Sequence, residues 1–142
     1  MKHYLLDTNV LLDLFLNRAP WADDAEVIWE AHRHLQLRAS VAAFAIPTIF
    51  YIVEKQEGNV VARTAVGACL TTLDIVSTDK TALVAAQAFT GIDFEDDLQI
   101  ATGVQNAVDA IVTRNPKDFS GSPIPVLTPA DVVTLLRTPQ KP

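Results

Sequence analysis

Apolar and polar positions along this chain follow two different periods. Short apolar or alternating runs at residues 4–6, 38–44, 73–76 and 110–113 have the length and composition of buried strands. Between them, apolar residues return every third or fourth position, as on one face of a helix. Val10, Leu11, Leu14 and Phe15 mark a first helix, and Trp21, Ala25, Ile28, His32 and Leu35 a second, opened by Pro20. Ile46, Ile49, Phe50 and Val53 mark a third, which Gly58 ends, and Val61, Ala65, Ala68 and Cys69 a fourth that Asn59 can cap. A helix capped by Ser77 or Thr78 runs to about Phe89. Another begins near Glu95 and continues through Leu98, Ala101, Thr102 and Gln105. Pro123 and Pro125 flank an edge-like strand ending near Leu127, and Thr128 with Pro129 caps a last helix carrying Val132, Val133, Leu135 and Leu136. Strands alternating with helices, without a hairpin signal, predict an α/β fold: a parallel sheet covered on both faces.

In such a sheet, whatever follows the C-terminal ends of the strands lies along one edge, where open α/β sheets hold ligands. The first strand stops on Asp7, at a strand-to-helix turn where Thr8 or Asn9 can cap the helix. The fourth ends at Thr113 and runs into the polar loop RNPKDF, residues 114–119. The segment DFEDD, residues 93–97, can join them if its helix points its N-terminus at that edge. Carboxylates in a first helical turn are also favoured by the helix dipole alone. That simpler reading is kept for Asp97. His32 has no second His or acid at i+4 and reads as a packed or edge histidine.

With 142 residues the chain is expected to fold as one domain over residues 1–137, with a flexible tail at residues 138–142. The single Cys69 excludes an internal disulfide and a cysteine-based zinc cluster, and reads as a buried thiol. No stretch approaches the ~18 apolar residues of a membrane span, and the N-terminal run, broken by Asp7 and Asn9, does not resemble a secretory signal. No membrane association and a cytoplasmic location are the expectations. The net charge of −6, with no Lys/Arg run, argues against broad electrostatic adhesion to nucleic acid. It is compatible with a nucleic-acid enzyme whose acids are neutralised by a divalent ion bridging to phosphate.

Taken in order, LLDTNVLLD, IPTIFYIVEK, DFEDDLQIA, IVTRNPKDF and PIPVLTPADV resemble the PIN-domain nucleases, including the VapC-like toxins of bacterial toxin–antitoxin pairs. The resemblance spans nearly the whole chain. It implies a Rossmann-like three-layer α/β/α fold with a five-stranded parallel sheet, and an endoribonuclease using Mg²⁺ or Mn²⁺. It places the first family aspartate on Asp7 and the acid at the start of the sixth helix on Asp96. The loop after the fourth strand brings Asn115 to a position where many members carry an aspartate, with Asp118 close behind and Thr113 before it. Two positions depart from the pattern: Thr48 stands where many members have a glutamate, with Glu54 almost two turns further on, and Asn115 adds no charge.

The expected metal ligands are therefore Asp7, Asp96 and Asp118, with Glu95 as a helper. These acids and Asn115 make up the catalytic set, in which Asn115 and Thr113 position a water. Cleavage is expected to leave a 5′-phosphate and a 3′-hydroxyl. Lys55, Arg114 and Lys117 are the nearest cations for gripping RNA, and Tyr51 and Trp21 are aromatics that could stack on a base. The expected partners are an RNA substrate, a cognate antitoxin and a second copy of the chain, with the apolar first helices (Leu11 to Leu16, Ile28, Trp29) as the antitoxin groove or homodimer face. A haloacid-dehalogenase-like phosphatase would need an aspartate where Asn9 stands, and a response-regulator receiver an aspartate at the tip of the third strand. The alternative that Thr48 and Asn115 motivate is a PIN-fold binding or assembly module with weak or lost nuclease activity.

Overall fold

The computed structural model describes residues 1–139. Residues 140–142, most of the tail expected to be flexible, lie outside the described residues. Five strands, β1 (His3–Leu6), β2 (Arg38–Ala42), β3 (Asp74–Val76), β4 (Ala110–Val112) and β5 (Val126–Leu127), form one sheet in the order β3-β2-β1-β4-β5. Every pairing is parallel. Seven helices connect them: α1 (Thr8–Phe15), α2 (Ala22–Arg33), α3 (Ala45–Glu57), α4 (Asn59–Thr72), α5 (Lys80–Ala88), α6 (Phe94–Gln105) and α7 (Pro129–Arg137). A 3₁₀ turn at Pro116–Phe119 follows β4. This is the α/β/α arrangement that the alternation of strand and helix patterns implied.

Side chains alternate across the sheet. Tyr4, Leu6, Ala39, Val41, Ala110 and Val112 pack with α1, α2, α3, α4 and α7 in the larger core. Leu5, Ala42 and Val76 face the other way, as does Ile111, which packs with Ile100 of α6 and Phe119. Burying each Leu or Ile in these layers contributes roughly 1.5–3 kcal/mol. The chain runs β1, β2, β3 outward on one side, then returns across β1 to lay down β4 and β5 on the other. The crevice beyond the C-terminal ends of β1 and β4 is therefore the topological switch point.

Several local expectations are corrected. Asp7 itself caps α1, because its carboxylate accepts the Thr8 N–H at 2.8 Å; neither Thr8 nor Asn9 does so. Asp79, not Ser77 or Thr78, caps α5, and Thr78 pairs its hydroxyl with that of Thr102 at 2.8 Å instead. Gly58, at φ 89°, joins α3 directly to α4, a left-handed conformation that glycine adopts without a Cβ clash. β2 ends at Ala42, short of the expected Phe44. Leu11 and Ile28 are fully buried in the core and cannot form a docking face, whereas Leu14, Phe15, Leu16 and Trp29 are only partly covered. His32 is a structural residue. Its Nδ1 accepts the Ala39 N–H at 2.9 Å, leaving Nε2–H to donate to the Thr72 carbonyl at 2.6 Å and tie α2 to β2 and α4. No helix among the described residues is long and apolar enough to cross a membrane.

Candidate active site

Asp7 leaves β1 at the switch point, its backbone N–H still bonded to the Val112 carbonyl of β4 at 2.8 Å. The ladder thus aligns the ends of β1 and β4, so that Asp7 and Thr113, 106 positions apart in sequence, become neighbours. The Thr113 hydroxyl is fully buried and donates to Asp7 Oδ2 at 2.8 Å. The Thr113 hydroxyl oxygen in turn accepts from the Asn115 N–H at 3.1 Å and from Asn9 Nδ2 at 3.3 Å. Its donor and both lone pairs are therefore engaged within the protein. Thr113 orients Asp7 and has no capacity left for a water, which corrects the water-positioning role expected of it.

Asp96 occupies the first turn of α6, whose cap is Asp93, a carboxylate accepting the Glu95 N–H at 2.8 Å. This end of α6 lies beside the turn that follows β4, since Asp93, Asp96 and Asp97 line one cleft with Lys117 and Asp118. Burial, then Asp93, Asp7, Asp118 and Asp97, push the Asp96 carboxyl up from 3.8 to about 7. Burial also raises Asp7, against the hydrogen bonds from Thr113 and Thr8, and the charges of Glu95 and Asp118 raise it further. Asp118 lies exposed in the 3₁₀ turn that Asn115 opens. Asp7, Asp96, Asp118 and Glu95 thus share one electrostatic field at one edge of the sheet.

Beside them lies a cleft of about 690 Å³, lined by Gly91, Asp93, Asp96, Asp97, Lys117 and Asp118 among others. Asp97 is not simply a helix-dipole residue: it is buried, and a Cβ on Gly91 would stand 2.2 Å from its Oδ1. A side chain at position 91 would therefore require that carboxylate to shift. Lys117 is on the cleft wall, where a phosphate could meet it. Arg114 is committed elsewhere. Its guanidinium donates to Asp13 Oδ1 at 2.9 Å and stacks 4.0 Å above the Trp21 ring, which takes both residues out of the set expected to grip RNA. Tyr51 is exposed, packing edge-on against Phe50. The Glu54 carboxylate accepts from Asn59 Nδ2 at 3.1 Å, across the α3–α4 junction.

Two buried polar residues with an unpartnered oxygen escaped the sequence reading. Asp13 on α1 is 1% exposed, with Arg114 and Arg18 on Oδ1 and no partner on Oδ2. Gln99 on α6 is 2% exposed, with Oε1 unpartnered. Both could have been noticed as polar residues interrupting the apolar runs VLLDLFL and LQIA.

The donor set was tested for a divalent cation on its own chemistry. Carboxylates that raise one another's proton affinity are the oxygen ligands a hard cation takes. Among the described residues, however, no three His, Cys, Asp or Glu side chains stand together as a complete ligand group. Asp7, Asp96 and Asp118, expected as one ligand set, are therefore not brought together as a group of three.

Comparison with known proteins agrees with this architecture. The family model for the PIN domain matches residues 3–117. Among solved structures, a toxin–antitoxin complex from Klebsiella pneumoniae is similar at 25% identity, covering 89% of this chain and 97% of that one, with a TM-score of 0.66. DNA-bound VapBC from Salmonella typhimurium has the same fold at 16% identity, covering 91% and 99%, with a TM-score of 0.71. So has VapC20 from Mycobacterium tuberculosis, named a sarcin–ricin loop cleaving toxin, at 10% identity, 83% and 94% coverage and a TM-score of 0.68. No curated protein matches the chain by sequence.

Proposed function

The chain belongs to the PIN-domain family, and on that premise we propose that it is a divalent-metal-dependent endoribonuclease, the toxin of a toxin–antitoxin pair. The observation that carries the reading is that Asp93, Asp96, Asp97 and Asp118 line one cleft, where burial and then the neighbouring acids push the Asp96 carboxyl up to about 7. An arrangement so unfavourable to its own ionisation is one that a cation relieves.

In this reading Asp7 and Asp96 hold the ion, Asp118 binds it or orients one of its waters, and Asn115, exposed at the start of the 3₁₀ turn, offers a carbonyl to the attacking water. A divalent ion bound there supplies charge neutralisation and polarisation of the scissile phosphate. Thr113 and the Thr8 N–H keep the Asp7 oxygens in one orientation. The water oxygen bonds to phosphorus and gives up one proton, the bond to the 3′ oxygen breaks, and that oxygen takes up one proton, so that the elements of one water are added across the bond. The products carry a 5′-phosphate and a 3′-hydroxyl, and the RNA's 2′-hydroxyl is not consumed. Lys117, on the cleft wall, meets the substrate backbone.

The test is cleavage of a structured RNA by the purified chain with Mn²⁺, followed by analysis of the new ends and repeated with chelator. Metal-dependent cuts bearing 5′-phosphates are the expected result; 2′,3′-cyclic ends would contradict it. The toxin assignment predicts growth arrest on expression, relieved by a cognate antitoxin. The incomplete ligand group favours one specific alternative, a PIN-fold binding or assembly module. That reading predicts an intact RNA and no effect of Mn²⁺ on thermal stability.

A further inference from the structure

Asp7, the cap of α1, and Asn9 and Asp13 within it are committed to one target. Asp7 receives the Thr113 hydroxyl, Asn9 Oδ1 receives the Arg114 N–H at 3.3 Å, and Asp13 receives the Arg114 guanidinium at 2.9 Å. They span about two turns of helix, and each holds a residue of the segment leaving β4. Trp21, just ahead of α2, adds a flat surface 4.0 Å beneath the same guanidinium. Arg18 stands 3.7 Å from the same Asp13 oxygen.

The segment held in this way is short of support of its own. Its 3₁₀ turn is four residues long, with the Asp118 N–H bonded to the Asn115 carbonyl at 3.1 Å, and both side chains are exposed. At the far end Phe119 is 2% exposed, packed with Ile100 and Ile111. At the near end the Asn115 N–H is bonded to the Thr113 hydroxyl at 3.1 Å, and Arg114 adds an ionic anchor one residue before it. The turn that carries Asp118 thus lies between an apolar fixed point and a polar one.

From this geometry we propose that Arg114, fixed by Asp13 and Trp21, is a positioning residue that sets where Asn115 and Asp118 stand relative to Asp7. The inference deepens the nuclease reading and rests on it for its catalytic consequence. Arg114 touches neither substrate nor reacting atoms; it acts through the turn it starts. A planar guanidinium both stacks and donates along a fixed direction, which an ammonium does not. Arg114→Lys therefore restores the charge without restoring the placement. Asp13, buried with a single oxygen engaged, holds the other end of the clamp.

The test compares wild type with Arg114→Met, Arg114→Lys and Asp13→Asn, using amide hydrogen exchange over residues 115–119 and steady-state cleavage of RNA with Mn²⁺. Both are measured well below each variant's Tm. Loss of a charge-assisted anchor is expected to speed exchange at the Asp118 N–H by about tenfold or more. Cleavage is expected to lose kcat by about 10- to 100-fold, the range for groups that orient a metal's ligands, with KM unchanged. Arg114→Met and Arg114→Lys should behave alike. A raised KM with kcat intact and a shallower salt dependence would show Arg114 gripping phosphate and overturn the proposal. So would exchange unchanged over residues 115–119, or a lowered Tm with both kcat and exchange at wild-type values. A wild-type chain that leaves RNA intact while exchange responds to Arg114→Met is a failure of the nuclease reading alone.

Discussion

On the β1/β4 side of the crevice, both oxygens of Asp7 accept hydrogen bonds from within the protein, and the donor Thr113 is itself held by Asn9 and Asn115. On the α6 side, Asp96 has neighbours of its own sign, and burial and four other carboxylates all push its proton affinity the same way. One wall is fixed by hydrogen bonds and the other is loaded with unbalanced charge. The difference assigns them separate tasks. Asp7 supplies a ligand whose direction is set before anything binds, and Asp96 supplies a charge whose repulsion is released when a cation arrives.

The largest effect is expected where the fixed wall is removed. Asp7→Asn should lower kcat for RNA cleavage by more than about 10²-fold, beyond the range typical of residues that only orient a ligand. Retained activity would remove the distinction between the walls. Thr113→Val keeps the shape but takes away the donor to Asp7, and is expected to lose about 10- to 100-fold in kcat or Mn²⁺ affinity. An unchanged Mn²⁺ titration together with unchanged kcat in that variant would mean that the orientation of Asp7 is immaterial.

The charged wall is best probed by pH. Because the folded chain raises the Asp96 carboxyl from 3.8 to about 7, it binds that proton more tightly than the unfolded chain does. The associated stability is fully present below the unfolded value, falls as pH rises toward about 7, and is level above it. Asp96→Asn should therefore stabilise the metal-free protein at about pH 8 by about 1 kcal/mol, a figure discounted for solvent screening of a partly exposed carboxyl, and leave it nearly unchanged at about pH 4. Chemical denaturation at the two pH values measures this; a variant less stable at high pH would contradict the assignment of unrelieved repulsion. The smallest effect is expected at Lys117, an exposed cation on the cleft wall. Lys117→Ala should raise KM slightly and flatten the salt dependence of RNA binding by about 0.7 in the log–log slope, the contribution of one phosphate contact on a single strand.

How far this contrast could be read in advance follows the same division. The meeting of Asp7 with Thr113 was legible, because parallel strands deliver their C-terminal residues to one edge whatever their separation in sequence. The five-stranded sheet was legible for the same reason, from short apolar runs alternating with helical periods. The arrival of Asp96 at that edge depended on the direction in which α6 runs, which periodicity does not report; the family resemblance supplied it. What could not be read was the use to which side chains are put once neighbours are known. Arg114 looked like a cation free for RNA, but its partner Asp13 lies 101 positions away, inside an apolar helical run. Thr113 looked able to hold a water, but three partners fill its hydroxyl. The helix caps at Asp7 and Asp79 were misplaced by one or two residues, since Asp, Ser, Thr and Asn all suit the position and tertiary geometry chooses among them.

The central claim, that Asp7 and Asp96 hold a divalent cation, is tested most directly by calorimetric titration of Mn²⁺ into the wild-type chain and into Asp7→Asn without RNA. Saturable binding to the wild type, strengthening as pH rises through about 7 and weakened at least about tenfold in Asp7→Asn, is the predicted result. Equal binding by both chains, or none by either at millimolar Mn²⁺, would contradict it.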